Sequence, residues 1–213
     1  RDCLLSRGLG DVYKRQELVL AHNKLEEPQS IHNISYFTEQ IYKEVQLNYP
    51  KLNISDEEIE NVSKLATIHD IGKLFTPYEI LNKKGKLTKD EMDIIKKHPL
   101  NGANMALKLP KCGKASKLVQ YAYNICLYHH ERYDGQGYPK GLIGDEIPLC
   151  AQVVGLADAY DALISERPYK RKINHGEAVR MIVNGECGSF SPKVILSFII
   201  ASMNKTWIEK VSK

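Results

Sequence analysis

The sequence predicts an all-α fold, and three observations support this class. Helix start signals recur along the chain, including two capping boxes, in which Ser55 precedes Glu58 and Thr88 precedes Glu91 by three residues. Apolar residues return at spacings of three and four, as in helices that bury one face. No run of alternating apolar and polar residues lies between turn signals, so little or no β structure is expected. We therefore predict a helical bundle.

Each predicted helix is placed by its start signal and its apolar rows. Asn174 precedes Glu177 by three residues, and Ser191 precedes a proline that suits the first position of a helix. We expect the Ser191 hydroxyl to cap that helix. The segments predicted to be helical are 31–48, 56–69, 88–97, 99–108, 114–130, 150–163, 174–184 and 192–203.

The composition is that of a globular domain, with 213 residues, 43% hydrophobic and 26% charged. The longest strongly apolar stretch, Val194–Met203, is about half of the roughly 20 residues that a membrane span needs, so no membrane segment is predicted. The net charge of +4 is too small to indicate a nucleic-acid polymer as partner. Five scattered cysteines indicate a reducing compartment, and we expect a cytoplasmic location.

Residues 1–16 differ from the rest because they mix apolar, glycine and basic residues without periodicity. We interpret them as a non-native or disordered leader, and we assign residues 17–213 to one domain. A signal peptide is the competing interpretation, but the segment has no sustained apolar core.

Ionisable residues end several of the predicted apolar rows. His69 closes a buried row and is followed by Asp70; His129 and His130 close two adjoining rows, and Asp158 falls on an apolar face. One inward histidine is usually a satisfied core residue. Several ionisable groups buried together cost free energy unless a cation pairs them, so we predict a metal site. Mixed histidine and aspartate ligands favour iron or manganese over calcium or magnesium.

Two further regions bear on this site. His98 precedes Pro99 at a helix junction and is a sixth candidate ligand, whereas His22 and His175 are expected at the surface. Residues 129–148 interrupt the helical pattern with four glycines. A surface loop is one interpretation, but the position directly after the histidine pair favours a functional loop.

The motifs follow a recognisable order along the chain. They are His-Asp-Ile-Gly-Lys at 69–73, Lys-His-Pro at 97–99, His-His-Glu-Arg-Tyr-Asp-Gly-Gln-Gly-Tyr-Pro at 129–139, Ala-Asp-Ala-Tyr-Asp-Ala-Leu at 157–163 and Arg-Pro-Tyr-Lys at 167–170. Together they resemble the HD-GYP family, from about residue 32 to residue 198. This family consists of all-helical HD-superfamily phosphodiesterases that hydrolyse cyclic di-GMP with two or three bound metal ions, often iron or manganese.

The resemblance implies a set of metal ligands and a role for Lys73. The implied ligands are His32, His69, Asp70, His98, His129, His130 and Asp158. Asp70 is the expected bridge between two ions, which can lower the pKa of a shared water to about 7 and so provide the attacking hydroxide. Lys73 lies one helical turn after His69 and can neutralise a phosphate oxygen.

The resemblance also implies the substrate contacts and the number of ions. Gly137 and Tyr138 are expected to border the substrate, and Arg167 and Lys170 to hold phosphate or guanine. Pro28 stands where three-metal members have glutamate, so two ions are predicted and a third is not.

Three functional hypotheses follow from these residues. The first is a phosphodiesterase that converts cyclic di-GMP to linear pGpG, with further cleavage to GMP left open. The second is an HD hydrolase of another cyclic dinucleotide, such as cyclic GMP-AMP, or of a nucleotide. The third is a catalytically silent cyclic di-GMP receptor or interaction module. A diguanylate cyclase and an upstream sensor domain are the expected protein partners.

Overall fold

Helices make up most of the chain in the computed structural model, which describes residues 28–108, 115–165 and 172–211. The α-helices are α1 Pro28–Asn48, α2 Asp56–Ala66, α3 Tyr78–Leu81, α4 Lys89–Ile95, α5 His98–Ala106, α6 Ala115–Tyr128, α7 Leu149–Ile164, α8 His175–Val183, α9 Pro192–Ser202 and α10 Lys205–Val211. Short 3-10 helices span Pro50–Leu52, Ile71–Phe75 and Gly144–Glu146. Within the described ranges there is no strand, only one isolated bridge between Asp134 and Ile143. The predicted all-α class is confirmed.

The central element of the bundle is α7, whose residues are mostly buried. It packs against α1, α6 and α8, while α1 also packs against α2 and α9. The pair α5 and α6 lies beside the 3-10 helix Ile71–Phe75 and beside α2. This arrangement brings the ends of α2 and α6 against the middle of α7, where the predicted ligands lie. No helix of the described chain combines the length and apolarity that crossing a membrane requires.

The second predicted helix is shorter than its apolar row. It ends at Ala66, after which Ile68 N–H donates to Leu65 O and His69 N–H donates to Ala66 O. These bonds tighten the chain into a turn that leads to the 3-10 helix. His69 and Asp70 therefore lie in a turn and not on a helix face.

Among the described residues, two α-helices lie outside the predicted segments. They are the single turn α3 and the seven-residue α10. Trp207 of α10 is fully buried and packs against Phe37, Tyr160 and Phe198. The C-terminal helix is thus held by one aromatic anchor in the core.

The predicted caps are mostly confirmed. Ser55 accepts a hydrogen bond from Glu58 N–H, Thr88 and Glu91 form a complete capping box, and the Asn174 side chain accepts from Glu177 N–H. The prediction for Ser191 was wrong: it occupies the N-cap of α9, but its hydroxyl is buried and makes no cap hydrogen bond.

Three sets of predictions fall outside the described residues. They concern the leader 1–16, the surface position of His22, and the substrate contacts of Arg167 and Lys170.

Candidate metal centre

The His69-Asp70 turn is the centre of the candidate site. His69 is fully buried and Asp70 is only 5% exposed. Gly72, two residues later, lies against the start of α5, and a Cβ atom there would stand 1.9 Å from His98 O. Only glycine therefore allows the backbone of His98 to approach the turn. The glycine of the His-Asp-Ile-Gly-Lys motif thus serves packing between two ligand-bearing segments.

Backbone carbonyls fix the orientation of three imidazole rings. The Nδ1 atoms of His69, His98 and His129 lie 2.9 Å from Ala66 O, 2.8 Å from Ile95 O and 2.9 Å from Ile125 O, respectively. Because a carbonyl oxygen only accepts, each Nδ1 carries the hydrogen. In the neutral ring, Nε2 then carries the lone pair, which is the form that binds a metal.

These Nε2 atoms converge on the two oxygens of Asp70. His98 Nε2 lies 2.9 Å and His129 Nε2 3.6 Å from Asp70 Oδ1, while His69 Nε2 lies 3.4 Å from Oδ2. Ligand atoms of Asp70, His98, His129 and His130 all lie within 4.8 Å of one another. Lone pairs facing a carboxylate repel unless a positive charge lies between them. The donor set therefore fits a divalent cation.

Asp158 extends the cluster on the opposite side. Its Oδ1 lies 3.7 Å from His69 Nε2, and the side chain is 21% exposed. It comes from the interior of α7, so the cluster joins the ends of α2 and α6 to the middle of α7 and the start of α5.

Burial favours the neutral form of His129 and His130. It lowers the pKa of His129, although Asp70 opposes this effect, and it lowers the pKa of His130 well below the ordinary value. Burial also raises the pKa of Asp70, but Lys73 and His69 outweigh it and hold the net pKa well below the usual range. Neutral imidazoles beside ionised carboxylates are the protonation states that bind metal ions.

Lys73 lies beside Asp70, in the 3-10 helix that follows the His69-Asp70 turn. Its Nζ contacts Asp70 Oδ2, and the side chain is 25% exposed. The ammonium group therefore reaches from the buried carboxylate toward solvent. A phosphate entering from the solvent side would meet this charge.

Tyr138 borders the cluster from the glycine-rich loop. Its ring stacks on the His130 ring, with centroids 4.6 Å apart and an interplanar angle of 26°. Lys96 Nζ lies 5.3 Å from the Tyr138 centroid. Gly137 packs against the backbone at the end of α6, because a Cβ there would stand 2.3 Å from Arg132 N. An aromatic ring from the loop and an exposed cation from the end of α4 thus lie together beside the cluster.

The structure places two histidines differently from the sequence predictions. His32 is exposed on α1, whereas each of the other predicted ligands has a donor atom within 4.8 Å of one on Asp70 or His69. The neighbouring Ser30 and Asn33 point the other way and hydrogen-bond Asp161 of α7. His175 was expected at the surface, but it is half-buried and its Nδ1 lies 2.7 Å from the Tyr160 hydroxyl.

Sequence reasoning missed two buried carboxylates near the ligands. Asp161 follows Asp158 by one helical turn and accepts hydrogen bonds from Ser30 Oγ at 2.5 Å and Asn33 Nδ2 at 2.9 Å, which ties α1 to α7. Glu131 follows the histidine pair and is 4% exposed. Both residues lie within the motifs that carry the family resemblance, at 129–139 and 157–163. This location is the signal that could have identified them.

The chain is similar to a known domain family and to two named phosphodiesterases. A model of the HD domain family matches residues 24–194. A probable cyclic di-GMP phosphodiesterase of Vibrio cholerae is 44% identical over 152 residues, covering 71% of this chain and 34% of its own length. A 3′3′-cGAMP-specific phosphodiesterase of V. cholerae is 32% identical over 142 residues, covering 67% of this chain and 26% of its own length.

A solved structure extends the likeness to the fold. A cyclic GMP-AMP-specific phosphodiesterase of V. cholerae aligns with a TM-score of 0.62 and 16% identity, over 93% of this chain and 51% of that one. These matches confirm the predicted HD-superfamily bundle. The chain spans about a third or less of the length of the two curated relatives.

Proposed function

We propose, from the premise that the chain belongs to the HD domain family, that it is a metal-dependent phosphodiesterase acting on cyclic di-GMP. The expected product is linear pGpG, with GMP as the product of any second cleavage. The substrate is inferred from relatives, including the V. cholerae protein named a probable cyclic di-GMP phosphodiesterase. The chemistry is inferred from the site itself.

The observation that carries the proposal is the convergence of three imidazole nitrogens on both oxygens of Asp70. Oδ1 faces His98 and His129 at 2.9 and 3.6 Å, and Oδ2 faces His69 at 3.4 Å. A carboxylate with imidazole nitrogens facing both of its oxygens is suited to bridge two ions. We therefore propose two divalent ions and no third. The proposed ligands are His69, Asp70, His98, His129, His130 and Asp158.

The ions are proposed to be iron or manganese, because the donors are imidazoles and carboxylates. When bound, they supply a water of lowered pKa and neutralise charge on the phosphate. His32 was predicted as a further ligand, but its exposed position on α1 gives that prediction no support. The ligand set above therefore omits it.

The chain's own residues would bind and orient the substrate. Lys73, whose ammonium group lies between Asp70 and solvent, is proposed to hold a non-bridging phosphate oxygen. Tyr138 and Gly137 would border the dinucleotide on the His130 side. Arg167 and Lys170 are proposed to contact phosphate or guanine, on the resemblance of their motif alone.

We also propose where the protein acts and with what. A cyclic dinucleotide second messenger is made and degraded in the cytoplasm, so we propose that location. A diguanylate cyclase or a sensor domain is a proposed partner, because the chain corresponds to only part of its longer relatives.

Cyclic GMP-AMP is the second candidate substrate. It is favoured by the relative named a 3′3′-cGAMP-specific phosphodiesterase, which is 32% identical to this chain. The metal centre serves either dinucleotide, because the scissile bond is a phosphodiester in both. Discrimination would then depend on base contacts outside the centre.

The test is a direct comparison of substrates. The protein is purified without oxygen, loaded with Fe²⁺ or Mn²⁺, and given cyclic di-GMP or cyclic GMP-AMP in separate assays. We expect faster turnover of cyclic di-GMP, with pGpG identified by chromatography. Faster turnover of cyclic GMP-AMP would transfer the proposal to that substrate. Tight binding of cyclic di-GMP without cleavage would favour a silent receptor and contradict the enzyme proposal.

A further inference from the structure

Glu131 is a buried carboxylate that lies beside the metal centre without belonging to it. It directly follows the histidine pair and is 4% exposed. Its Oε1 accepts a hydrogen bond from Lys140 N–H at 2.7 Å, and its Oε2 accepts one from Leu142 N–H at 3.0 Å. Both oxygens thus bind the returning limb of the glycine-rich loop. Hydrogen bonds to an ionised acceptor are stronger than neutral ones.

The two amides are presented to Glu131 by the residue between them. Gly141 has a φ of +66°, a left-handed conformation that glycine adopts readily. The turn there aims the N–H groups on either side of it at one carboxylate. Side chains at 140 and 142 are not needed for this contact, because the backbone supplies both donors.

The loop closed by Glu131 carries Tyr138. Tyr138 N–H donates to His130 O at 3.3 Å, and its ring stacks on the His130 ring with centroids 4.6 Å apart. Gly137 lies directly on the backbone of Glu131 and Arg132. The outgoing limb is therefore packed on the backbone that follows α6, and Glu131 fixes the returning limb to the same segment.

We propose that Glu131 is a positioning residue that acts through Tyr138. Its carboxylate closes the loop 132–142 and so holds the Tyr138 ring against His130, at the edge of the site where the substrate docks. This inference rests on the proposed phosphodiesterase function. It adds a determinant of dinucleotide binding that touches neither the metal nor the substrate.

Glu131→Gln is the first variant, because glutamine has the same size. Its carboxamide has one oxygen and can accept from only one of the two amides, while its NH₂ group faces the other donor. We expect the KM for cyclic di-GMP to rise by about tenfold, the scale of losing a charged hydrogen bond, with the metal content unchanged. Bis(p-nitrophenyl) phosphate, a small diester that needs only the metal centre, should be hydrolysed within about twofold of the wild-type rate.

Glu146→Gln is the matched control. Glu146 is exposed in the 3-10 helix just after the loop, and its Oε2 accepts from Ile143 N–H at 2.9 Å. Glu146→Gln removes a carboxylate charge in the same way, but its carboxamide oxygen can still accept from that one amide, so the limb next to Tyr138 is not released. We expect its kinetics to match those of the wild type. An equal rise of KM in both variants would mean that loss of a carboxylate charge near the loop, and not the anchor at Glu131, sets the effect.

A double-mutant cycle separates positioning from stability. If Glu131 acts through Tyr138, the variant with both Glu131→Gln and Tyr138→Ala should lose no more than the larger of the two single losses. Additive losses would show that Glu131 acts independently of Tyr138 and would overturn the proposal.

Hydrogen exchange tests the anchor without any substrate. Loop peptides containing Lys140 and Leu142 should exchange faster in Glu131→Gln, and peptides from α1 and α7 should not change. Unchanged exchange at the loop would overturn the anchor. If the wild-type protein cleaves only the small diester, the proposed function fails, and the exchange result still decides the role of Glu131.

Gly141→Ala is the second variant, for use if Glu131→Gln does not fold. It strains the same turn at φ +66° and leaves Glu131 intact. We expect the same rise of KM and the same faster exchange in the loop. Wild-type kinetics together with wild-type exchange would contradict the proposal.

Discussion

His98 Nε2 lies 2.9 Å from Asp70 Oδ1, while the other nitrogen of the same ring lies 2.8 Å from Ile95 O. The carbonyl fixes the hydrogen on Nδ1, so Nε2 presents its lone pair to a carboxylate. Such a contact is stable only with a positive charge between the two atoms.

Lys73→Gln should lower activity without emptying the centre. The ammonium group contacts Asp70 but is not a metal ligand, and its proposed role is to hold phosphate. We expect kcat/KM for cyclic di-GMP to fall by about a hundredfold, as for other charge-stabilising donors. Metal content, measured by elemental analysis, should remain that of the wild type. Lys83→Gln, which breaks an ion pair with Glu91 away from the site, is the control and should be fully active.

Gly72→Ala should destabilise the protein because its Cβ would stand 1.9 Å from His98 O, a backbone atom. We expect a loss of more than about 3 kcal/mol in the free energy of unfolding, at the upper end for overpacking. Urea unfolding measures this loss. Gly176→Ala is the matched control, because a Cβ at position 176 would stand 3.7 Å from its nearest neighbour, Asn174 Oδ1. A similar stability in both variants would mean that the approach of α5 to the turn is not tight.

The metal-free protein should become less stable as the pH falls. Burial lowers the pKa of His129 and His130 in the folded state, so the unfolded chain binds protons first as the pH drops below about 6.5. The contribution of these two histidines to the free energy of unfolding is therefore fully present above that pH. It is lost as the pH falls toward their lower pKa values in the folded state. The loss is at most about 1.4 kcal/mol per pH unit for each histidine.

Urea unfolding in chelator at about pH 7.5 and about pH 5.5 measures this slope. His130→Gln should reduce the difference between the two values, whereas His32→Gln, at an exposed position on α1, should leave it unchanged. An equal slope in all three proteins would exclude His130 as a source of the pH dependence.

Removing the metal should lower the thermal stability at neutral pH. A ligand that binds only the folded state stabilises it by about 2.7 kcal/mol when present at a hundred times its Kd. We expect a chelator to lower Tm and added Mn²⁺ to restore it. In His98→Ala the restoration should be reduced, since one converging nitrogen is lost. A Tm that does not respond to chelator or metal would contradict a structural role for the ions.

Periodicity predicted the burial of His69 and His129 because each ends a long apolar row, and burial follows the row even where the helix stops early. It did not predict the end of α2 at Ala66, since the turn that follows depends on packing against α5 at Gly72. Local patterns describe which face is inside. They do not describe where another element forces the chain to bend.

Other features depend on contacts between different elements of the fold. Glu131 accepts hydrogen bonds from amides nine and eleven residues later in the chain, and His175 at the start of α8 contacts Tyr160 of α7. Neither residue has a periodic signal of its own. The helix α10 is short, and only the burial of Trp207 among distant aromatic rings explains it. Contacts of this kind become visible only in the folded chain.

The most direct test of the central claim compares wild-type protein with Asp70→Ala, purified without oxygen and examined for metal content and cyclic di-GMP turnover in the same preparation. Asp145→Ala, an exposed aspartate paired with Lys193, is the control. We predict that the wild type and the control hold about two ions per chain and cleave the substrate, whereas Asp70→Ala loses metal and turnover together. Asp70→Ala with wild-type metal content and wild-type turnover would contradict the account.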